Sequence, residues 1–247
     1  MLRSFVISIQ VAQSRIGYYR LLLANEGSYL VNKTGPICVF CAMKTEAKPF
    51  IQALEQATTT SYGQLKVYEG FLGDKKIILA CSAIGVKKAS AAAALLIDRY
   101  DPVCLIMSGT AGAIDSRLEI GDTVVAVETV FHDRPDDTLT KADEGLLGRC
   151  KDGLEESPPD HNRYFGRVAT GKSFVRKGQR ASIIERLDPL CVDMESAAVA
   201  EACTKQGVPF LAVRSISDTE ANSGLVVFFK NAVLASTHSF VVVKALL

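Results

Sequence analysis

Three carboxylates in this 247-residue chain stand where chemistry is done in alternating α/β proteins. Glu46 follows the apolar run at 37–42, Glu195 follows CVDM at 191–194, and Asp218 closes PFLAVRSIS at 209–217. In a parallel sheet, ligands gather at the carboxyl ends of the strands. Thr110, Ser173, Phe174 and Ser217 fall at similar positions. Each carboxylate also has a plain structural reading. Glu46 and Glu195 suit a helix N-terminus, where negative charge complements the macrodipole. Asp218 suits an N-cap. Spacing alone is compatible with a hydrolase and goes no further.

The elements that must hold these residues are legible from apolar periodicity. The runs ICVFCA (37–42), KKIILACS (75–82), PVCLIMS (102–108, ending in GTAG), DTVVAVETVF (122–131), GRVATG (166–171), CVDM (191–194) and PFLAVRSIS (209–217) read as strands. Helices are expected from about Thr45, over 87–100, around 179–187, over 195–207 and over 225–246. Pro49 is tolerated in a first turn, which sets the first helix start near Thr45 or Glu46. Gly207 followed by Pro209 marks a helix end. The alternation implies a single-domain, three-layer α/β/α fold with a mixed, mainly parallel sheet. Residues 132–165 are polar and rich in Asp, Glu, Gly and Pro, and read as one long functional loop.

Composition narrows the function classes. The formal net charge is +1, so no basic excess exists to neutralise a phosphate backbone, and nucleic acid is not an expected partner. With 48% hydrophobic and 22% charged residues, the chain is not of disordered composition. Apolar runs are strand-length, so no membrane span is expected. Seven cysteines scattered through apolar runs read as reduced thiols of a cytoplasmic protein. Cys38 and Cys41 form a C-x-x-C, yet their odd spacing in a strand sends them to opposite faces. His132, His161 and His238 show no ligand spacing, so no metal is expected, and no cofactor. Residues 1–34 carry Arg3, Arg15 and Arg20 with no acid before Glu26. They read as an N-terminal extension, an upstream start or a targeting segment, ahead of a domain at 35–247.

The spelling of six segments is more specific. AMKTE (42–46), SGTAG (108–112), LEIGDTVV (118–125), GKSFV (171–175), VDMESAAVA (192–200) and VRSISD (213–218) occur in this order. Together they resemble the purine nucleoside phosphorylase superfamily, and most of all its bacterial hydrolytic branch, the methylthioadenosine/S-adenosylhomocysteine nucleosidases. The resemblance covers about 37–246. It implies a nucleoside phosphorylase-like fold, a homodimer, and a hydrolase that releases adenine from a 5′-substituted adenosine. Asp218 matches the acid that protonates purine N7. Glu46 matches the carboxylate that deprotonates the attacking water. Glu195 matches the residue that grips the ribose hydroxyls, a role for which a helix N-terminus should keep it ionised. Asp218 must instead hold a proton near neutral pH, through burial or a neighbour such as Ser217.

Binding residues carry over by position. Phe174 would stack on the purine and the Val175 backbone would read its edge. Met194 would lie under the ribose, and Thr110, Ala111 and Gly112 would floor the pocket. Met43 and Ile84 would touch the ribose or its 5′ group, with core packing as the other reading. Phe228 would close the 5′ side. Arg214 would brace Glu195, or form an ordinary buried ion pair.

Three alternatives stay open. A phosphorylase needs basic groups for phosphate, best an Arg pair, and the active-edge loops show Lys44 and Lys87 but no obvious Arg pair. A hydrolase acting on futalosine or its 6-amino-6-deoxy analogue in menaquinone synthesis fits the segment after Phe131-His132-Asp133, which lacks aromatic residues where the nucleosidases have them. Ala113 replaces a family glycine and is expected to narrow the pocket. A non-catalytic storage homologue is the third, and the intact carboxylates argue against it.

Overall fold

A computed structural model describes residues 34–82, 84–175 and 177–247. The expected extension at 1–34 lies almost wholly outside them. Residues Gly35–Leu247 form one compact unit.

The chain opens with β1 (Ile37–Cys41) and α1 (Lys44–Ala53), then a hairpin of β2 (Glu55–Tyr62) and β3 (Leu65–Leu72). Next come β4 (Lys75–Cys81), α2 (Val86–Tyr100), β5 (Cys104–Ala113) and β6 (Thr123–Phe131). They are followed by β7 (Thr140–Lys141), α3 (Glu144–Glu156), β8 (Arg163–Thr170) and α4 (Lys177–Leu187). The chain closes with β9 (Cys191–Asp193), α5 (Ser196–Lys205), β10 (Phe210–Asp218) and α6 (Leu225–Leu246).

All strands join one mixed sheet in the order β10-β6-β8-β9-β5-β1-β4-β3-β2, with β7 beside β6. β10 also pairs with β5, so β5, β10, β6, β8 and β9 close into a ring. β1, β4, β5 and β10 run parallel to their neighbours within that set. β6 runs against β10, and β9 against β5. Alternation along β1 feeds two cores. Cys38 and Phe40 pack in one, Val39 and Cys41 in the other, so the two cysteines do face opposite ways. All seven cysteines are free and buried, and burial lifts their thiols above the ordinary range.

Several local expectations change. α1 begins at Lys44, which puts Pro49 beyond the first turn and removes one ladder hydrogen bond. β5 runs on through GTAG, because β10 pairs with it as far as Gly112. The expected loop at 132–165 contains β7 and α3. Asp143 caps that helix by accepting the Leu146 N–H, and Leu146, Cys150 and Leu154 form its buried stripe. Its glycines hid it, and one has a packing reason: a side chain at Gly153 would overlap the Ala245 carbonyl of α6. The hairpin β2–β3 was not anticipated, since β2 is exposed along nearly its whole length and shows no apolar period. α6, with 22 residues and a mean hydropathy of 1.6 over an 18-residue window, is long and apolar enough to cross a membrane by length and composition alone, although its apolar residues read as strand-length runs in the sequence. One face of it, including Ala232, Ala235, Ser239 and Val242, is buried in the protein.

Candidate active site

The site arises from a gap in the pairing of β5. β10 occupies one edge of β5 from Leu105 to Gly112. On the other edge β1 runs forward and ends at the Phe40–Met107 pair, while β9 runs backward and pairs at Ala113 and Gly112. The two carboxyl ends therefore meet head to head. Residues 108–111 of β5 keep that edge free, and the residues that follow β1 and β9 fill in around it.

Glu46 enters from the first turn of α1. Its Oε2 accepts the Met43 N–H at 2.9 Å, so it does serve the helix N-terminus. Its Oε1 accepts the N–H and the hydroxyl of Thr110, at 2.8 and 2.9 Å. A carboxylate has roughly four acceptor sites. Three are taken, and one on Oε2 remains for a water.

Glu195 enters from the other side, at the N-cap of α5, without a side-chain cap bond. Its Oε1 accepts the Gly85 N–H at 2.8 Å. Behind it lies a buried ionic network. Arg214, wholly enclosed, reaches Asp193 at 2.7 Å and Glu195 at 3.6 Å, and donates from Nε to the Ser196 hydroxyl at 3.0 Å. Ser196 donates in turn to Asp193, and Thr170 donates to the other Asp193 oxygen at 2.6 Å. Burial pushes Glu195 up to about 7, against the pull of Arg214; Asp193 and Glu46 add to the rise, and the Gly85 N–H opposes it.

Asp218 ends β10, inside the strand rather than as an N-cap. Burial raises its pKa, while the Ser217 hydroxyl and Arg180 pull it back. Ser217 donates to Oδ1 at 3.0 Å, so it does not help hold the proton on Asp218; it directs that proton to Oδ2. Oδ2 is buried and has no hydrogen-bond partner, with the Arg180 guanidinium 4.0 Å away.

These groups line a cavity of about 470 Å³. Of the residues expected at the site, Glu46, Glu195, Asp218, Met43, Ile84, Thr110, Ala111, Gly112, Phe174, Val175, Met194, Ser217 and Phe228 all border it. Arg214 does not. It sits behind Glu195 and spends its shorter ion pair on Asp193.

Comparison with known proteins bears on the family of this fold. Residues 36–247 match the family model described as the phosphorylase superfamily. The chain belongs to the phosphorylase superfamily. Within it, a 5′-methylthioadenosine/S-adenosylhomocysteine nucleosidase of an Exiguobacterium species is 33% identical, covering 79% of this chain and 91% of that one. The Staphylococcus aureus enzyme of the same name is 27% identical over 82% and 96%. Among solved structures, the Neisseria meningitidis nucleosidase with methylthio-immucillin-A superposes with a TM-score of 0.80 at 26% identity, covering 86% and 98%. A futalosine hydrolase of Helicobacter pylori gives 0.79 at 25%, covering 86% and 97%.

Two buried charged residues of this site were missed in the sequence. Asp193 anchors Arg214, and an acid inside the apolar strand β9 was the available signal. Arg180 gave no signal, because α4 has weak amphipathic character around it. Ala113 does not narrow the cavity: it lies outside the lining, and its carbonyl accepts Arg180 Nη1. Burial raises the Glu195 pKa, against the helix N-terminus that was expected to keep it ionised. Asp160, His161 and His238 gather elsewhere, with candidate atoms within 4.8 Å. The two imidazoles there are stacked at 4.0 Å and 6°, so their in-plane lone pairs run side by side and do not converge.

Two expected results follow from this geometry. A Cβ on Gly109 would stand 2.5 Å from Arg214 Nη1 and 2.6 Å from Glu46 Oε1; Arg214 is fixed through its Nε and Nη2, and Glu46 Oε1 by Thr110. Gly109→Ala should therefore cost about 1–3 kcal/mol, a fall in Tm of roughly 2–10 °C in a thermal melt. The Glu195 value gives the second. Hydroxyls donating to Glu195 favour its charged form. Binding of a ribose-bearing ligand should then release up to about half a proton at pH 7, and affinity should rise with pH until it levels off above about 7. Calorimetry in two buffers of different ionisation enthalpy measures this. Zero release would show that the hydroxyls do not meet Glu195.

Proposed function

We propose that this chain is an N-glycosidase that hydrolyses 5′-substituted purine nucleosides, with 5′-methylthioadenosine and S-adenosylhomocysteine as substrates. One observation carries the proposal. A single cavity holds a carboxylate with an acceptor site to spare at one end and, at the other, an unpartnered Oδ2 whose pKa is raised. Bond cleavage needs both. The Asp218 proton passes to N7 as the electron pair of the glycosidic bond moves into the base. Glu46 takes a proton from water as its oxygen bonds to C1′. Glu195 accepts the ribose hydroxyls next to the positive charge that develops on the sugar. Phe174 and Val175 hold the base, Met194 supports the ribose, and Met43, Ile84 and Phe228 border the 5′ side.

Hydrolysis is favoured over phosphorolysis. Arg214 is enclosed and ion-paired to Asp193, Arg180 stands at the Asp218 end, and Lys44, Lys87 and the cavity-lining Lys172 are exposed. A second reading, a bulkier futalosine-type 5′ group, is supported by the absence of aromatic residues from 134–147. A homodimer is supported by an exposed apolar stripe on α6, with Val226 84% and Phe229 66% accessible beside the cavity. A reducing cytoplasmic setting suits the seven free thiols. Base release from a panel of 5′-substituted adenosines, with and without phosphate, tests the reading. Ribose 1-phosphate as product would replace hydrolysis by phosphorolysis, and no release across the panel would end the assignment.

A further inference from the structure

We infer that Cys41 and Cys81 form a binding site for one soft, two-coordinate cation of the Cu(I) or Ag(I) class. The site lies behind the cavity, and the inference does not depend on the nucleosidase reading.

The C-x-x-C of the sequence splits between the two cores, and Cys41 finds its neighbour on another strand. β1 and β4 run parallel, and Cys41 stands in register with Cys81 at their carboxyl ends. Register partners on adjacent strands point to one face, and both thiols pack in the same core. They lie close enough that a charge on Cys81 would be felt at Cys41. Among the described residues no other two cysteines are register partners. Cys104 lies opposite Ile37, and Cys191 lies opposite Ala113 and Val168.

Spacing and ligand count select the ion. Adjacent strands lie about 4.8 Å apart. A metal–thiolate bond is about 2.3 Å, so an ion with two sulfurs in line spans about 4.6 Å. Such an ion sits between the two sulfurs and needs no cavity of its own. A structural zinc needs four ligands. Neither cysteine belongs to a cluster of three or more His, Cys, Asp or Glu ligand atoms among the described residues. Glu46, whose charge reaches both thiols, is committed to Met43 and Thr110. Two thiolates without nitrogen or oxygen donors select soft ions such as Cu(I).

Loading is balanced: two thiols and one monovalent cation give a sulfur–metal–sulfur bridge of charge −1 and two protons. Burial opposes the loss of those protons and Glu46 adds to the cost, while Arg214 near Cys41, and Lys66 and Lys44 near Cys81, offset part of it. Only an ion with strong affinity for thiolate therefore loads the site. Cys81 keeps 7% of its surface accessible, which gives the ion a way in. The bridge would tie β1 to β4 where the chain leaves one strand for Met43 and Glu46, and the other for Gly85, whose N–H holds Glu195.

The test titrates the reduced protein anaerobically, without substrate, with Cu(I) held by bicinchoninate, and reads the copper that the protein takes from the chelator. The wild type should take one ion per chain, and X-ray absorption at the copper edge should show two sulfur ligands. Cys41→Ala and Cys81→Ala should each lose at least about 100-fold in affinity, since even outer-shell partners of a metal are worth about 10- to 100-fold. Cys38→Ala, which breaks the C-x-x-C but leaves the pair, should bind as the wild type does. No uptake by the wild type, undiminished uptake by Cys41→Ala or Cys81→Ala, or a comparable loss in Cys38→Ala overturns the inference. Should an alanine variant fail to fold, the wild-type spectrum decides. Two sulfur ligands alone uphold the site, and a third ligand or a nitrogen or oxygen donor overturns it.

Discussion

Asp218→Asn should lower kcat by about 10²- to 10⁴-fold, the usual contribution of one general acid. Asparagine keeps the volume and still accepts the Ser217 hydroxyl through its oxygen. Its amide would occupy the Oδ2 position and can donate to N7 but cannot transfer a proton. Ligand affinity should therefore survive while turnover does not. The pH profile adds a second signature. Burial raises the Asp218 pKa, so the wild-type rate should fall as pH rises through it, from a plateau on the acid side. The asparagine variant should lack that descending limb. Single-turnover base release at several pH values measures both, and activity above about a tenth of wild type would take the acid role away from Asp218.

Glu46→Gln should be comparably damaging to turnover, and it should also weaken the fold. The two Glu46 oxygens accept three donors: the Met43 N–H, the Thr110 N–H and the Thr110 hydroxyl. Glutamine has one oxygen. Either orientation of its amide sets an N–H against a backbone donor, and a buried donor left facing a donor costs about 1–3 kcal/mol. Loss of the base removes a further factor of about 10²–10⁴ from kcat. A melt and a progress curve on one preparation separate the two effects. A variant that melts lower yet hydrolyses at the wild-type rate would leave Glu46 a structural cap alone.

The carboxylates were legible in the sequence because each stands at, or just after, the carboxyl end of a run that reads as a strand. Thirteen of the fourteen residues read as site residues border the cavity, since a strand end fixes where the next few side chains lie. What escaped depended on pairing. β9 runs against β5, so its end meets that of β1, and no periodicity in CVDM signals direction. Arg214 had two readings, a brace for Glu195 or an ordinary buried ion pair; it reaches both Glu195 and Asp193, and Asp193, two residues earlier, holds it more closely. Arg180 was invisible because it lies on a helix without a clear apolar face, and only the fold brings it to β5. The hairpin β2–β3 and helix α3 were missed for opposite reasons. The first carries a strand with almost no buried side, and the second is diluted by three glycines.

The double use of β5 also bears on how the chain is made. β5 is buried along nearly all of its length and is complete at Ala113. Its second edge waits for β10, which starts at Phe210, and the tip of its first edge waits for β9 at Cys191. At about 5–20 residues per second, the growing chain holds this strand with an open edge for roughly 5–20 s. An apolar strand with unpaired N–H and C=O groups is a template for pairing with other chains. The strand that floors the finished cavity is thus, in the half-synthesised protein, an open apolar edge of the kind chaperones cover, and the yield of folded protein should depend on the speed of translation between residues 113 and 210.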